Sequence, residues 1–105
     1  MFARLFQADV KTDKLQEYTN RVRQEVDTTI RKQAGLLELI SMTSESNPGR
    51  VAVITFWRTP ADAENYSRNV APRVHESIKP FLKTTPTIEH FNVDVTTGSK
   101  IAAAA

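Results

Sequence analysis

Ile54-Thr55-Phe56-Trp57-Arg58-Thr59-Pro60-Ala61-Asp62-Ala63-Glu64-Asn65-Tyr66 carries an apolar run straight into a capped helix, with the chain's single tryptophan at the junction. Thr59 suits the N-cap and Pro60 the first helical position, where a missing N–H loses no partner. Asp62 and Glu64 favour the positive end of the helix dipole. The stretch predicts a strand ending at Trp57 and a helix starting at Pro60.

Upstream, Phe2 to about Ala8 reads as a first strand, with Phe2, Arg4 and Phe6 on one face and Ala3, Leu5 and Gln7 on the other. A long helix is expected from Thr12 or Asp13, with Leu15, Tyr18, Val22, Val26 and Ile30 along one stripe and Gly35 as its C-cap. Glu17 with Arg21 and Asp27 with Arg31 are spaced as helical ion pairs, worth ~0.3 kcal/mol apiece. Leu36 to Ser44 and Val51 to Trp57 form a hairpin around Asn47-Pro48-Gly49.

Downstream, the helix from Pro60 is expected to stop near Asn69, because Pro72 forces a break before a third helical piece carrying Val74, Ile78, Phe81 and Leu82. Thr87 to Val95 reads as a last strand, with Phe91, Val93 and Val95 opposite His90, Asn92 and Asp94. The order β-α-β-β-α-β, with a split second helix, is a ferredoxin-like α+β fold: a four-stranded antiparallel sheet with helices on one face. The hairpin is expected to turn Leu37, Leu39, Val51, Val53 and Trp57 to one side and Leu36, Ile40, Met42, Ile54 and Phe56 to the other. One helical layer covers one side only. A second copy of the same sheet is the simplest cover for the other, so a homodimer paired sheet to sheet is expected.

With 105 residues, the chain is long enough for one domain, expected over residues 1–97, with residues 98–105 as a C-terminal tail. Its 40% hydrophobic and 25% charged residues are those of a folding globule. The net charge of +2 is spread among acidic neighbours without a basic stripe, which argues against nucleic-acid binding. The absence of cysteine excludes disulfides, thiolate catalysis and the common zinc sites. No apolar run approaches the roughly 20 residues of a membrane span, and Arg4 comes too early for a signal peptide. A cytoplasmic protein without membrane contact is the expectation. Three glycines, and no phosphate-binding loop or dinucleotide fingerprint, leave nucleotide cofactors without a site.

The strand end Thr55-Phe56-Trp57, the helix Pro60 to Tyr66, the preceding Gln33-Ala34-Gly35-Leu36 and the piece from Pro72 to Ile78 resemble the antibiotic biosynthesis monooxygenase family of the dimeric α/β barrel superfamily. The resemblance covers nearly the whole chain. It implies oxidation of an aromatic phenol or quinol without a cofactor, in a cavity between sheet and helices; haem binding and cleavage using His75, as in related members, or a non-catalytic dimeric ligand-binding module are the alternatives. Of the polar set that the phenol monooxygenases carry, only Trp57 matches. Val53, Ala63 and Ser77 stand where those relatives have asparagine, tyrosine and arginine, and Tyr66 and Arg73 are the candidate replacements. For the haem-degrading relatives, His75 lies close to the histidine position, with Tyr66 in place of a tryptophan and Gln7 in place of an asparagine.

The resulting candidates are Trp57, Tyr66 and His75 as catalytic residues, and Arg4, Phe6, Phe56, Arg73 and Ile78 as substrate contacts. No metal ligand set and no bound cofactor are expected. Each candidate also has a plainer reading: Trp57 as a core residue, Tyr66 as a half-buried helix residue, and His75 as a rim histidine. Arg4, flanked by Phe2 and Phe6, either pairs with Glu38 or Glu89 or faces a substrate oxygen. If the chain is an oxygenase, the substrate anion reacts with oxygen while the protein supplies a dry cavity and donors.

Overall fold

The computed structural model describes residues 1–98, so all but the first residue of the expected tail lie outside the described residues. Strand β1 (Phe2–Asp9) leads through a 3₁₀ turn at Thr12–Lys14 into helix α1 (Leu15–Thr28). A second 3₁₀ turn (Ile30–Lys32) precedes the hairpin of β2 (Leu36–Thr43) and β3 (Arg50–Trp57). Helices α2 (Pro60–Asn69) and α3 (Ala71–Ile78) then return the chain to strand β4 (Thr87–Asn92). The sheet order is β2-β3-β1-β4 and every pairing is antiparallel, which bears out the ferredoxin-like expectation.

The α2 start forms as its residues require. Thr59 is extended, its hydroxyl accepts the Asp62 N–H at 3.2 Å and donates to the Asp62 carboxylate at 2.9 Å, and Pro60 occupies the first turn. Pro72 likewise opens α3, leaving Val70 as the only residue between the two helices.

Several local expectations change. Helix α1 starts only at Leu15 and ends at Thr28, well before Gly35, which therefore does not cap it. Gly35 (φ +80°) instead shapes the turn into β2, where its carbonyl accepts the Arg58 N–H at 2.8 Å. A β-carbon there would run into the Asp62 side chain, so glycine lets this turn lie against the start of α2. Asp27 and Arg31 do pair, at 3.2 Å, but Glu17 pairs with Lys14 at 3.4 Å. Arg21 is drawn away to the Ser77 carbonyl, at 2.9 Å, with its guanidinium over the Phe81 ring. β4 ends at Asn92 rather than Val95; beyond it the Val93 N–H still reaches the Met1 carbonyl, and Val95 is exposed.

A bulge between Leu36 and Glu38 corrects the assignment of faces on β2. One extra residue reverses the alternation there, so Leu36, opposite Trp57, shares the helix-covered face with Leu39, opposite Thr55. Leu36 and Leu39 both pack against the core around Trp57.

The covered face holds two adjoining clusters. Phe6, Ala8, Val10, Tyr18, Val51 and Ile78 form one, and Ile30, Trp57, Ala63, Tyr66, Ala71 and Val74 the other. On the opposite face Ile40, Met42 and Phe91 are 41%, 44% and 41% exposed, beside half-buried Leu5, Ile54 and Phe56. Among the described residues no helix is long and apolar enough to cross a membrane.

Candidate functional site

Where the two core clusters meet, a cavity of about 30 Å³ lies between the sheet and the helices. Its apolar walls include Phe6, Val22, Ile30, Leu39, Val74 and Ile78, and its polar lining consists of Arg4, Tyr18, Glu25, Thr55, Tyr66 and His75. Strand alternation explains the sheet side. Arg4 and Phe6 on β1 lie opposite Thr55 and Val53 on β3, so all four point to the covered face.

Arg4 is the unusual member. It is 5% exposed, and no carboxylate lies within ion-pair distance of it among the described residues. The expected partners are on the wrong side: Glu89 is opposite Leu5 and Glu38 opposite Phe56, both on the open face. Arg4 Nε instead donates to Ser67 Oγ at 3.0 Å, its guanidinium rests over the Tyr66 ring at 5.2 Å, and Nη2 lies 3.5 Å from His75 Nε2. Burial lowers the Arg4 pKa from its ordinary value, with Tyr66 opposing, but a guanidinium remains a cation in a protein.

A guanidinium only donates, so the Nε2 that faces it carries the lone pair, and the His75 proton belongs on Nδ1. Burial, and then the Arg4 charge, hold the His75 pKa below the ordinary histidine value, which keeps the ring neutral. The same ring stacks obliquely on Phe6 at 5.4 Å. His75 also lines a second hollow of about 470 Å³ on the outside, between α3 and the segment Leu82 to Pro86. It is therefore the wall shared by the cavity and the surface.

Tyr66 projects from α2 with its pKa raised, mainly by burial, while Arg4 pulls it down and Glu25 pushes it up. Trp57 is wholly buried behind it: the rings lie 5.1 Å apart, and the indole N–H donates to Thr55 Oγ1 at 2.9 Å. Of the candidates, the structure thus brings Arg4, Phe6, Tyr66, His75 and Ile78 around one cavity, with Trp57 in support. It does not bring in the other two. Phe56 is opposite Ala3 on the open face, and Arg73 lies outside, bonded to Thr29 Oγ1 at 2.6 Å and 3.7 Å from Glu25.

Tyr18, Glu25, Thr55 and Ser67 are not among the site candidates that the sequence offers, Tyr18 and Thr55 entering it only as stripe and strand residues. Among the described residues the Tyr18 hydroxyl and Glu25 Oε2 are buried without hydrogen-bond partners, and burial pushes the Tyr18 pKa up to about 12. A signal for Glu25 did exist: it follows Val22 by three residues and Tyr18 by seven, which puts a carboxylate on the apolar stripe of α1. Ser67 carries no such mark.

Haem ligated by His75 does not fit this arrangement, since Nε2 faces a guanidinium and the cavity is far smaller than a porphyrin. Among the described residues no three His, Cys, Asp or Glu side chains converge as metal ligands.

The sequence profile described as antibiotic biosynthesis monooxygenase matches residues 1–76. No curated protein matches the chain. Among solved structures, a Nitrosomonas europaea protein provisionally named an antibiotic biosynthesis monooxygenase is 18% identical over 89% of this chain and 98% of its own, with a TM-score of 0.75. A second structure, named simply an antibiotic biosynthesis monooxygenase, is 17% identical over 90% of this chain and 100% of its own, with a TM-score of 0.75. A conserved protein of Methanosarcina mazei Go1 is 16% identical over 90% and 94%, also with a TM-score of 0.75. At such identities the structural likeness establishes a shared fold.

Proposed function

The chain belongs to the antibiotic biosynthesis monooxygenase family, and from that premise we propose a cofactor-independent monooxygenase that oxidises an electron-rich phenol or quinol between sheet and helices. For a phenol the overall change is phenol plus O₂ to quinone plus water. One oxygen atom enters the ring and the other leaves as water, and the substrate supplies all four electrons. The role left to the protein is to form and hold the substrate anion away from water.

The observation that carries this reading is the buried Arg4. An unpaired buried cation is costly, and a substrate oxyanion is the partner that would offset the cost. In this reading Tyr66 supports the guanidinium from below, Trp57 fixes Tyr66, and His75 accepts from Arg4 and forms the movable wall toward the outer hollow. Phe6 and Ile78 pack on the substrate ring. Arg73 acts from outside through Glu25, and Phe56 serves the open face.

That open face is the surface for a second copy. Ile40, Met42 and Phe91 form an apolar patch that one helical layer leaves bare, and an isologous contact buries it twice.

A competing reading, a non-catalytic dimeric module, is favoured by the cavity's size: about 30 Å³, against ~300–1,000 Å³ for typical ligand sites. Catalysis therefore requires displacement of the His75 wall. Oxygen-electrode measurements with a panel of hydroquinones and hydroxynaphthalenes separate the two. Uptake above the buffer rate that disappears in Arg4→Met supports the enzyme; no uptake by the wild type overturns it. Titration with haemin, read for a saturable Soret band that His75→Ala removes, tests the haem alternative.

A further inference from the structure

We infer that Glu25 is the proton acceptor of this cavity, taking the proton of a hydroxyl held against Arg4. The inference rests on the cavity's being a phenol site, though not on the oxidation that follows.

Glu25 lies in the interior of α1 and is 7% exposed. Among the described residues its Oε2 is buried without a hydrogen bond, and its ion-pair partner, Arg73 Nη1, stays 3.7 Å away on a side chain that is largely in solvent. A buried carboxylate oxygen is seldom left without a hydrogen bond, and an ion pair to a solvated arginine offsets its desolvation only in part. Here it borders the same cavity as Arg4, and the two do not approach within ion-pair distance. The Tyr18 hydroxyl, also without a partner, lines that cavity as well. A cation, an anion and a free hydroxyl around one small space form a site for a polar, proton-bearing ligand group.

The other lining groups are less free to take a proton. His75 already uses its Nε2 lone pair toward Arg4, and protonation would put two cations side by side. Thr55 Oγ1 accepts from Trp57 Nε1, and the tyrosines are neutral proton donors. Glu25 remains.

Charge bookkeeping supports the same choice. A neutral phenol enters a site holding one cation and one anion. Its O–H bond breaks, the electron pair stays on the phenol oxygen opposite Arg4, and a new O–H bond forms on Glu25. Net charge is unchanged, and no electron is lost or gained. If the proton went instead to solvent, the ionised Glu25 and the phenolate would share one buried cation, a like-charge arrangement that low polarity penalises.

The test uses 4-nitrophenol, whose anion absorbs visible light where the neutral form does not. With wild-type protein below the pKa of free nitrophenol, the nitrophenolate band is recorded together with protons released, by titration in a weakly buffered indicator solution. The expected result is a band on binding with almost no proton released, whereas Glu25→Gln either loses the band or releases about one proton per anion formed. Release of about one proton per anion by the wild type, or the absence of binding or of the band, overturns the inference. The band and proton count with no oxygen uptake from any quinol leave Glu25 as acceptor and refute the monooxygenase. Uptake accompanied by proton release to solvent does the reverse.

Discussion

Arg4 on β1 and Ser67 on α2 are joined by a hydrogen bond of 3.0 Å, which ties the sheet to the helical layer at the cavity wall and holds the Arg4 guanidinium over Tyr66. The contact orients the cation but leaves its charge uncompensated, and this separation of geometry from charge leads to the first prediction.

Arg4→Met keeps the unbranched apolar stem of the side chain while removing the buried charge. Because replacing a buried ion by a hydrophobe is often neutral or stabilising, the thermal midpoint should hold or rise. Oxygen uptake, if anion stabilisation is the role of Arg4, should fall by ~10²-fold or more. Calorimetric melting and an oxygen electrode on the same preparations check both; a large fall in melting temperature would assign Arg4 a structural role instead.

His75 predicts an acid-side loss of stability. Its folded pKa is depressed by burial and by Arg4, so between that value and the unfolded value of about 6.5 the unfolded chain binds more protons than the native one. The contribution is therefore present above about pH 6.5 and is lost as the pH falls through the folded pKa. Melting temperatures across this window should decline toward acid, and His75→Gln should flatten the decline. An unchanged slope in the variant would mean that His75 does not couple to folding.

Trp57→Phe removes the indole N–H that meets Thr55 Oγ1 and leaves space beside Tyr66. The expected loss of stability is about 1–3 kcal/mol, from a lost buried hydrogen bond and imperfect filling. Urea unfolding followed by circular dichroism measures it, since the variant has no tryptophan fluorescence. A change below ~0.5 kcal/mol would show that the junction tolerates repacking.

Met42→Lys places a charge on the edge strand β2 of the bare sheet face. Wild-type protein should sediment as a dimer at micromolar concentration and the variant as a folded monomer with unchanged circular dichroism. A monomeric wild type would remove the reading of this face as an interface.

The fold was largely legible because its signals are local. Thr59, Pro60 and Asp62 start α2 through contacts within four residues, and Pro72 opens α3 by lacking an N–H. The alternation on β1 placed Arg4 correctly beside Phe2 and Phe6. Leu36 falls on the face opposite to that expected because a bulge is a property of the pairing between two strands rather than of either strand alone. Arg21 left Glu17 for a similar reason: a backbone carbonyl on α3, distant in sequence, offered a better partner than a solvated carboxylate one turn away.

The site was legible only in part. Trp57, Tyr66 and His75 stood out by residue type, and two of them line the cavity while Trp57 backs it. The buried charge of Arg4 away from any carboxylate of the described residues, and the Glu25 oxygen and Tyr18 hydroxyl that make no hydrogen bond there, depend on three elements meeting. By itself the sequence determined the order of strands and helices, the break at Pro72 and the family, since periodicity, capping and motif spacing act over a few residues. The tertiary structure alone decided which polar groups share the small space between β1, α1 and the α2–α3 pair, because burial and charge pairing arise only when distant segments pack.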